Sequence, residues 1–281
     1  LKEQLLVGGE EKVAYVDNAL KIIETFGLIL FVTSVGFIAG PKFFGNLKKN
    51  FKSYILLGVT IILAGGLAAI GCIYLGRALG ETNHGEFTAM IVGLLSGSLT
   101  STPAFSAAKD TVAPEFVNAV SVGHGIAYIF GVIGVVLFVQ LIPKFVKANM
   151  AEERAKIAQI DDGAKKVYTG KLIHLDDFGF AAFSLAAILG TVVGKFVVPG
   201  INFSLTTTGG CLMVALVLGH FGRIGKVSIM PKEQTLKIFR ELGLMLFLIG
   251  AGIPGGAEFV EMFDVMYFVY GVIMTIVPLV L

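Results

Sequence analysis

Apolar stretches separated by short polar segments run through the whole chain, and several are long enough to cross a bilayer as helices. The polar breaks place seven spanning helices at residues 20–40, 53–75, 116–142, 177–198, 204–221, 236–256 and 264–281. An eighth apolar segment, 88–112, is interrupted in its middle. The pattern predicts an all-α polytopic membrane protein.

The polar segments differ in charge. Residues 1–19 and 76–87 are expected to be loops, and so is the stretch between the first two spans. That stretch has four lysines and no acid: Lys42, Lys48, Lys49 and Lys52. Residues 143–176 carry seven Lys/Arg and several acids, which predicts a hydrophilic linker.

The interrupted segment contains the sequence GLLSGSLTSTPAFSAAKD (93–110). Pro103 cannot sit in a helix interior without cost but suits the first turn of a new helix, with Thr102 as its N-cap. The pattern therefore favours two half-helices meeting at a polar break. At membrane depth such a break survives only where protein buries it or it lines a watery cavity. The alternative is a proline kink whose serines and threonines bond their own helix.

Such a break would expose N–H groups, a positive helix end and three hydroxyls, which suit a small anion. We expect residues 100–102 to present hydroxyls and carbonyls and the N–H groups of 104–106 to meet a carboxylate. His124 lies four residues before Tyr128, on the same helical face. It is either a substrate-contacting or pH-sensitive group, or a neutral imidazole bonded across helices. The candidate substrate-binding residues are Thr100, Ser101, Thr102, Pro103, Ala104, Ser106, His124 and Tyr128.

A second candidate is TTTGG at 206–210, where Thr206 or Thr207 could cap a helix. Thr208, Gly209 and Gly210 would then add to the site from the second half of the chain. Close packing of the two glycines at a helix crossing explains the motif equally well, and the sequence leaves both interpretations open.

Residues 19–47 align without gaps on 235–263, with ten of 29 positions identical. Among the identical pairs are Gly27/Gly243, Phe31/Phe247, Gly36/Gly252 and Gly40/Gly256. Duplicated halves are typical of secondary transporters, although a shared helix-packing pattern could also place the glycines. The predicted domains are a first membrane repeat at 1–142, a cytoplasmic linker at 143–176 and a second membrane repeat at 177–281.

The direction of the second repeat depends on the interrupted segment. If 88–112 crosses the membrane the repeats are parallel, and if it is a re-entrant hairpin they are inverted. Both topologies place 16 Lys/Arg on one face and six on the other, so the positive-inside rule does not decide. We favour the hairpin because Pro103 marks a tip near the middle of the segment.

Composition narrows the function classes. The chain of 281 residues is 55% hydrophobic and only 15% charged, against about a quarter in soluble domains. Its net charge of +2, without a basic patch interleaved with aromatics, gives no indication of nucleic-acid binding. Cys72 and Cys211 lie in apolar runs and are expected to be packing residues, not a disulfide. No metal site, cofactor site, nucleotide motif or nucleophile–base pair is expected, so the protein is predicted not to be an enzyme.

The segment at 93–110 resembles the G-A-x-T-x-T-P-A-L-x-A-A stretch of the aspartate–alanine exchanger (AAE) transporters. FGLILFVTSVGFIAGPKFF, ELGLMLFLIGAGIPGG and TTTGGCLMVALVLGHFG resemble segments of that family's two halves. VGHGIAYIFGVIG resembles the following helix, with His124 where Tyr is usual and Ile129 where Pro is usual.

Three departures from the family stand out. Against its pattern, two helices are expected before Leu1 and a second threonine–proline segment beyond Leu281. The TrkA-C-like domains that many relatives carry between the halves are replaced by the predicted linker at 143–176.

The resemblance implies a multi-pass carrier of the bacterial inner membrane for amino or carboxylic acids, working by exchange in its best-known members. The predicted function is secondary transport of a small anionic metabolite by alternating access, by exchange or coupled to an ion that the sequence does not identify. The expected partners are that substrate and the lipid bilayer, with a homo-oligomer left open. The alternative is a non-transporting membrane module that acts as a sensor or assembly partner.

Overall fold

The computed structural model describes residues 10–147, 149, 152, 172–198 and 203–280. Residues 153–171, which make up most of the predicted linker, and the first nine residues of the predicted N-terminal loop lie outside this range. The helices are α1 (Glu10–Ala78), α2 (His84–Ser98), α3 (Thr102–Thr111), a 3₁₀ turn (Pro114–Phe116), α4 (Val117–Phe145), α5 (Phe180–Gly194), α6 (Thr206–Phe221), α7 (Glu233–Met262) and α8 (Val265–Val280).

Among the described residues, three helical stretches are long and apolar enough to cross a membrane: Asn18–Pro41, Tyr54–Ala78 and Pro114–Phe145. Three shorter helices, α5, α6 and α8, are also apolar. The coarse prediction of a helical membrane protein is therefore confirmed.

Three details of the predicted layout are wrong. Residues 10–19 of the expected N-terminal loop are helical, because α1 begins at Glu10. The expected loop around Lys48 is helical and continues α1 without a break from Glu10 to Ala78. Lysine and leucine are good helix formers, so a charged stretch need not interrupt a helix, although Gly45 costs about 1 kcal/mol and Pro41, also inside the helix, about 3 kcal/mol. The predicted span 177–198 is also shorter, because α5 ends at Gly194.

Two short antiparallel hairpins lie at the ends of these helices. The first pairs β1 (Val197–Val198) with β2 (Phe203–Ser204) between α5 and α6. The second pairs β3 (Arg223–Ile224) with β4 (Val227–Ser228) between α6 and α7. Gly225, at the turn of the second hairpin, has a positive φ of 59°, which glycine adopts without strain.

The chain forms two compact units, and each draws on both predicted repeats. The first unit contains α2, α3 and α4 and is called the hairpin unit after the turn between α2 and α3. It comprises Leu1–Asp17, Lys52–Ala155 and Ala251–Leu281. The crossing unit comprises Asn18–Phe51 and Lys156–Gly250. The division into 1–142, 143–176 and 177–281 concerns the sequence repeats and stays a prediction.

In the crossing unit, α1 meets α7 through glycine. A Cβ on Gly27 would collide with the backbone of Gly243 and Phe247, and a Cβ on Gly243 with that of Gly27 and Phe31. Gly250 in turn lies against Glu24. Residue numbers that rise on α7 thus meet numbers that fall on α1, so these two helices run antiparallel where they touch.

The core of the crossing unit forms around the same part of α1. Phe37 lies against Phe183 of α5, with ring centroids 6.3 Å apart. Gly36 and Gly40 pack on α6 at Leu212–Gly219, which runs parallel to α1 there. The buried residues of this cluster are Leu30, Phe37, Phe183, Ala186, Ala215 and Leu236. Close packing through glycine is how membrane helices gain contact area without a hydrophobic driving force between them.

Candidate functional site

The chain reverses direction between α2 and α3. In the hairpin unit, Gly93 of α2 lies against Val120 of α4. Gly97, one turn later on α2, lies against His124 and Tyr128, which come later on α4. α2 and α4 are therefore parallel. Gly85 near the start of α2 touches the ring of Phe116 just before α4. The intervening α3 thus carries the chain back to the level where α2 begins.

The reversal is a turn of three residues, Leu99 to Ser101. The Thr100 N–H donates to the Gly97 carbonyl at 2.8 Å, and the Ser101 N–H donates to the Ser96 carbonyl at 2.9 Å. These two bonds form a Schellman motif, which normally has glycine at the position of Thr100. Thr100 has a φ of +49°, a left-handed conformation that strains a β-branched residue. Strain of this kind concentrates at functional sites.

Close packing holds the turn in place. A Cβ on Gly131 of α4 would lie 2.6 Å from the carbonyl oxygens of Gly97 and Ser98 and 2.9 Å from Cγ2 of Thr100. Only glycine fits at this position of α4 without displacing the turn. The strained backbone of Thr100 is therefore supported by α4 as well as by its own hydrogen bonds.

Ser101 ends one helix and caps the next. Its Oγ accepts a hydrogen bond from the Ala104 N–H at 3.3 Å, and its carbonyl accepts one from the Phe105 N–H at 3.0 Å. The N-cap is thus Ser101, one residue before the predicted Thr102, which occupies the first helical position ahead of Pro103.

These bonds correct the expectation that N–H groups of 104–106 meet a carboxylate, because Ala104 and Phe105 already donate to Ser101. At the tip, the groups that can serve an anion are the hydroxyls of Thr100, Ser101 and Thr102 and the positive end of α3. Proline at the first turn is confirmed as predicted.

His124 joins three helices. Its imidazole is buried, at 8% exposure, and its Nδ1 lies 2.9 Å from the Ser96 Oγ of α2. Its ring stacks on Phe105 of α3, with centroids 4.2 Å apart, and lies 5.4 Å from the ring of Tyr128. The cross-helix hydrogen bond that the sequence left as one alternative is present.

The hydrogen-bond pattern assigns the tautomer of His124. The Ser96 hydroxyl has a single hydrogen and donates it to the Gly93 carbonyl at 2.7 Å. The imidazole Nδ1 is therefore the donor in the bond to Ser96, and Nε2 of the neutral ring is an acceptor. Ser98 likewise donates to the Leu94 carbonyl, so serines before the break do bond their own helix.

The structure brings the predicted residues at 100–106 and His124 with Tyr128 into one unit, around α2, α3 and α4. Sequence reasoning missed Ser96, Phe105 and Lys109, which pack around them. The signals were a serine inside an apolar run and an aromatic residue four positions before a lysine, a spacing that places both on one helical face.

The TTTGG motif lies in the crossing unit. Thr206 has a positive φ of 57° and begins α6. The predicted cap at Thr206 or Thr207 is wrong, because the N-cap is Leu205 and no side chain bonds the helix start there. Gly210 lies against the backbone of Gly190 and Gly194 of α5, and Thr208 is 1% exposed. Gly210 therefore serves the close crossing of α5 and α6, as the packing interpretation expected, while a contribution of Thr208 and Gly209 to a site stays a prediction.

The family model Asp-Al_Ex, described as "Predicted Permease Membrane Region", matches residues 5–144 and 182–281. The two matched stretches contain α2, α3 and α4 and both copies of the repeat. No solved structure matches the chain.

Several curated relatives carry the name "Uncharacterized transporter". One from Bacteroides thetaiotaomicron is 38% identical over 137 residues, 49% of this chain and 24% of its own length. One from Bacteroides fragilis is 37% identical over 137 residues, with the same coverage. One from Desulfotalea psychrophila is 33% identical over 146 residues, 52% of this chain and 25% of its own length. The matches thus span about a quarter of these relatives.

The family model covers most of the chain, and the relatives are named as transporters. The chain therefore belongs to the Asp-Al_Ex family of permease membrane regions.

Proposed function

We propose that the chain is the membrane part of a secondary transporter that moves a small anionic metabolite, an amino acid or a dicarboxylate, by alternating access. The observation that carries this proposal is the reversal of the chain at Leu99–Ser101, between the end of α2 and the start of α3. The transport would be exchange or ion-coupled, in the bacterial inner membrane. The proposed chemistry is binding and release of the substrate, without a covalent step.

The tip of the hairpin has the groups that an anion requires. The positive end of α3 points into the turn, and three consecutive hydroxyl side chains surround it. Each hydrogen bond to a charged carboxylate would contribute about 1.5–3 kcal/mol. Contacts of this strength bind a substrate and still allow its release.

The proposed membrane arrangement is a pair of inverted repeats with a re-entrant hairpin. The contact of Gly85 with the ring of Phe116 supports a segment that returns to its own side, because it brings the two ends of that segment together. Four of the spans predicted from the sequence then lie between the two copies of the repeat, and an even number of intervening crossings makes the second copy run in the opposite direction. The antiparallel contact of Gly27 with Gly243 supports this order. Inverted repeats give a transporter two related conformations, open to opposite sides.

Counterflow in proteoliposomes tests the function. Purified full-length protein is reconstituted with unlabelled substrate inside, and the uptake of labelled aspartate, glutamate, succinate and alanine is measured. We expect counterflow of at least one of these. A protein that binds none and shows no counterflow would be a sensor or assembly module instead.

Cysteine labelling tests the orientation. In the inverted arrangement residue 46 faces the cytoplasm, whereas in a parallel arrangement it faces outward. An Asn46→Cys variant, with Cys72 and Cys211 replaced, is treated with a membrane-impermeant thiol reagent. We expect protection in intact cells and labelling after permeabilisation; labelling from outside would contradict the inverted repeats.

A further inference from the structure

A small polar cavity lies in the crossing unit, beside the start of α5. Its volume is about 190 Å³, and its lining comes from residues 174–179, α5, the β3–β4 hairpin and the residues just before α7. Liquid water of this volume would hold roughly six molecules, at about 30 Å³ each, so the space suits a small metabolite. The hairpin tip belongs to the other unit and does not contribute to this cavity.

Backbone hydrogen bonds fix the walls of the cavity. The Ile173 N–H donates to the Lys226 carbonyl, and the Ser228 N–H donates to the Ile173 carbonyl, both at 2.9 Å. Further along, the Lys232 N–H donates to the Phe178 carbonyl at 3.2 Å. The segment before α5 is therefore held against both the β3–β4 hairpin and the segment before α7.

Two opposite charges line this cavity, Asp177 from the first wall and Lys232 from the second. Both side chains are exposed, and neither forms an ion pair with another residue that the structure describes. The Lys232 ammonium lies 5.6 Å from the ring centroid of Phe178, a cation–π contact that involves the face of the ring. This contact leaves the N–H donors of the ammonium group available to a ligand.

Ser228 adds a buried hydroxyl to the lining. Its side chain is 8% exposed, and its Oγ accepts a hydrogen bond from the Met230 N–H at 3.5 Å. The hydrogen of this hydroxyl has no acceptor among residues 172–198 and 203–280 or elsewhere in the described chain. Because buried donors are normally paired, we expect an acceptor atom inside the cavity.

The remaining titratable groups of the lining are Asp176 and His174. The Asp176 carboxylate accepts four N–H hydrogen bonds from residues 178–181, which offset its negative charge. His174 is exposed. The groups that can receive a charged ligand are thus the Asp177 carboxylate, the Lys232 ammonium and the Ser228 hydroxyl.

We propose that this cavity binds a small α-amino acid in its zwitterionic form, at a second site separate from the hairpin tip. The ligand's ammonium group would pair with the Asp177 carboxylate. Its carboxylate would accept hydrogen bonds from the Lys232 ammonium and the Ser228 hydroxyl. A zwitterion matches both charges of the lining, whereas a simple anion or cation leaves one of them without a partner.

The position of the site suggests what its occupancy reports. Residues 174–176 belong to the predicted cytoplasmic linker, so in the proposed arrangement the cavity faces the cytoplasm. Its occupancy would follow the amino-acid concentration there, and a bound ligand would bridge the segment before α5 and the segment before α7.

Equilibrium binding of labelled alanine to the detergent-purified full-length protein tests this site. All variants carry Thr102→Val, which weakens the proposed hairpin site. The test variants are Asp177→Asn, Lys232→Gln and Ser228→Ala, and the matched control is Lys226→Gln, an exposed lysine of the β3–β4 turn outside the lining. Thermal unfolding without added amino acid checks that each variant is folded. Propionate, which lacks the amine, and ethylamine, which lacks the carboxylate, serve as competitors.

We expect Asp177→Asn and Lys232→Gln each to weaken alanine binding by about tenfold or more, because each removes a charged partner. Ser228→Ala should weaken it by a smaller factor, and Lys226→Gln should leave it unchanged. Propionate and ethylamine should each compete about tenfold more weakly than unlabelled alanine.

Three results would contradict the proposal. The first is a protein that binds no alanine, and the second is alanine binding that the Asp177 and Lys232 variants leave unchanged. The third is competition by propionate or ethylamine as strong as that by alanine, which would indicate a plain anion or cation site.

The result can be told apart from that of the transport proposal. A protein without counterflow whose alanine binding depends on Asp177 and Lys232 supports the amino-acid site. Counterflow by a protein whose alanine binding does not depend on these residues rejects the amino-acid site alone.

Discussion

Gly27 of α1 and Gly243 of α7 face each other in a reciprocal contact. A Cβ on Gly27 would lie 2.7 Å from the Gly243 carbonyl oxygen, and one on Gly243 would lie 2.6 Å from the Gly27 carbonyl oxygen. Each glycine also touches the backbone of the phenylalanine four residues after its partner, Phe247 or Phe31. The contact of Gly27 with Phe247 and that of Gly243 with Phe31 are therefore matched. The two residues are equivalent positions of the sequence repeat.

The first prediction concerns this crossing. Gly27→Ala or Gly243→Ala should force the helices apart and destabilise the protein by about 1–3 kcal/mol, as overpacking does. Gly252→Ala on α7 is the control, because no atom lies within 4 Å of a Cβ there. Thermal unfolding of the purified variants in detergent measures the difference. Similar unfolding temperatures for Gly27→Ala and Gly252→Ala would contradict the close contact.

The second prediction concerns the strained turn. Thr100→Gly should stabilise the protein by up to about 1 kcal/mol, because glycine adopts the left-handed conformation without the cost of about 1–2 kcal/mol that an L-residue bears. Thr100→Ala also lacks the hydroxyl but keeps the strain, so it should be less stable than Thr100→Gly. Both variants should lower counterflow if the hydroxyl binds substrate. Equal stability of the two variants would show that the strain is absent.

The third prediction is a pH dependence outside the membrane helices. The Asp176 carboxylate accepts hydrogen bonds from the N–H groups of residues 178–181, just before and within the first turn of α5. These bonds, above all the one from Ala181, lower the pKa of Asp176 below its usual value. The pKa of Asp176 is therefore lower in the folded state than in the unfolded state, where it is about 3.9. The ionised carboxylate stabilises the folded protein fully above the unfolded-state pKa, and this stabilisation is lost as the pH falls through the folded-state pKa.

Asp176→Asn should therefore lower the unfolding temperature at pH 7 and narrow the gap between variant and wild type as the pH falls below about 4. Asp177→Asn, which changes the neighbouring exposed acid, is the control. The measurement is thermal unfolding in detergent at a series of pH values. A gap that does not change with pH would contradict the capping role of the Asp176 carboxylate.

The break between α2 and α3 was predictable because Pro103 and its preceding hydroxyls are strong local signals. The exact cap was not, since Thr102 and Ser101 are both good caps and only the backbone decides between them. A threonine at the αL position of a Schellman motif could not be foreseen, because propensity favours glycine there. The residue that supports this backbone conformation is Gly131, which is far from Thr100 in sequence but packs against the turn in the structure.

The layout between the apolar segments was less predictable. The lysines near residue 48 indicate an exposed stretch, but charge alone does not distinguish a loop from a helix. The β3–β4 hairpin did have a signal, Gly225 between Ile224 and Val227, which fits a two-residue turn. The cluster of Ser96, Phe105 and His124 depends on α3 folding back along α4, a long-range arrangement that periodicity does not encode.

The central claim, that the tip of the α2–α3 hairpin binds the substrate, is tested most directly by Thr102→Val. Valine keeps the shape of the side chain and removes the hydroxyl at the first position of α3. Thr111→Val is the matched control, because it removes a hydroxyl that bonds the Ala107 and Ala108 carbonyls at the other end of the same helix. Counterflow is measured for both variants at equal amounts of folded protein. We expect at least a tenfold loss for Thr102→Val, equivalent to about 1.4 kcal/mol of binding, and wild-type counterflow for Thr111→Val. Wild-type counterflow by Thr102→Val would contradict the assignment of the site.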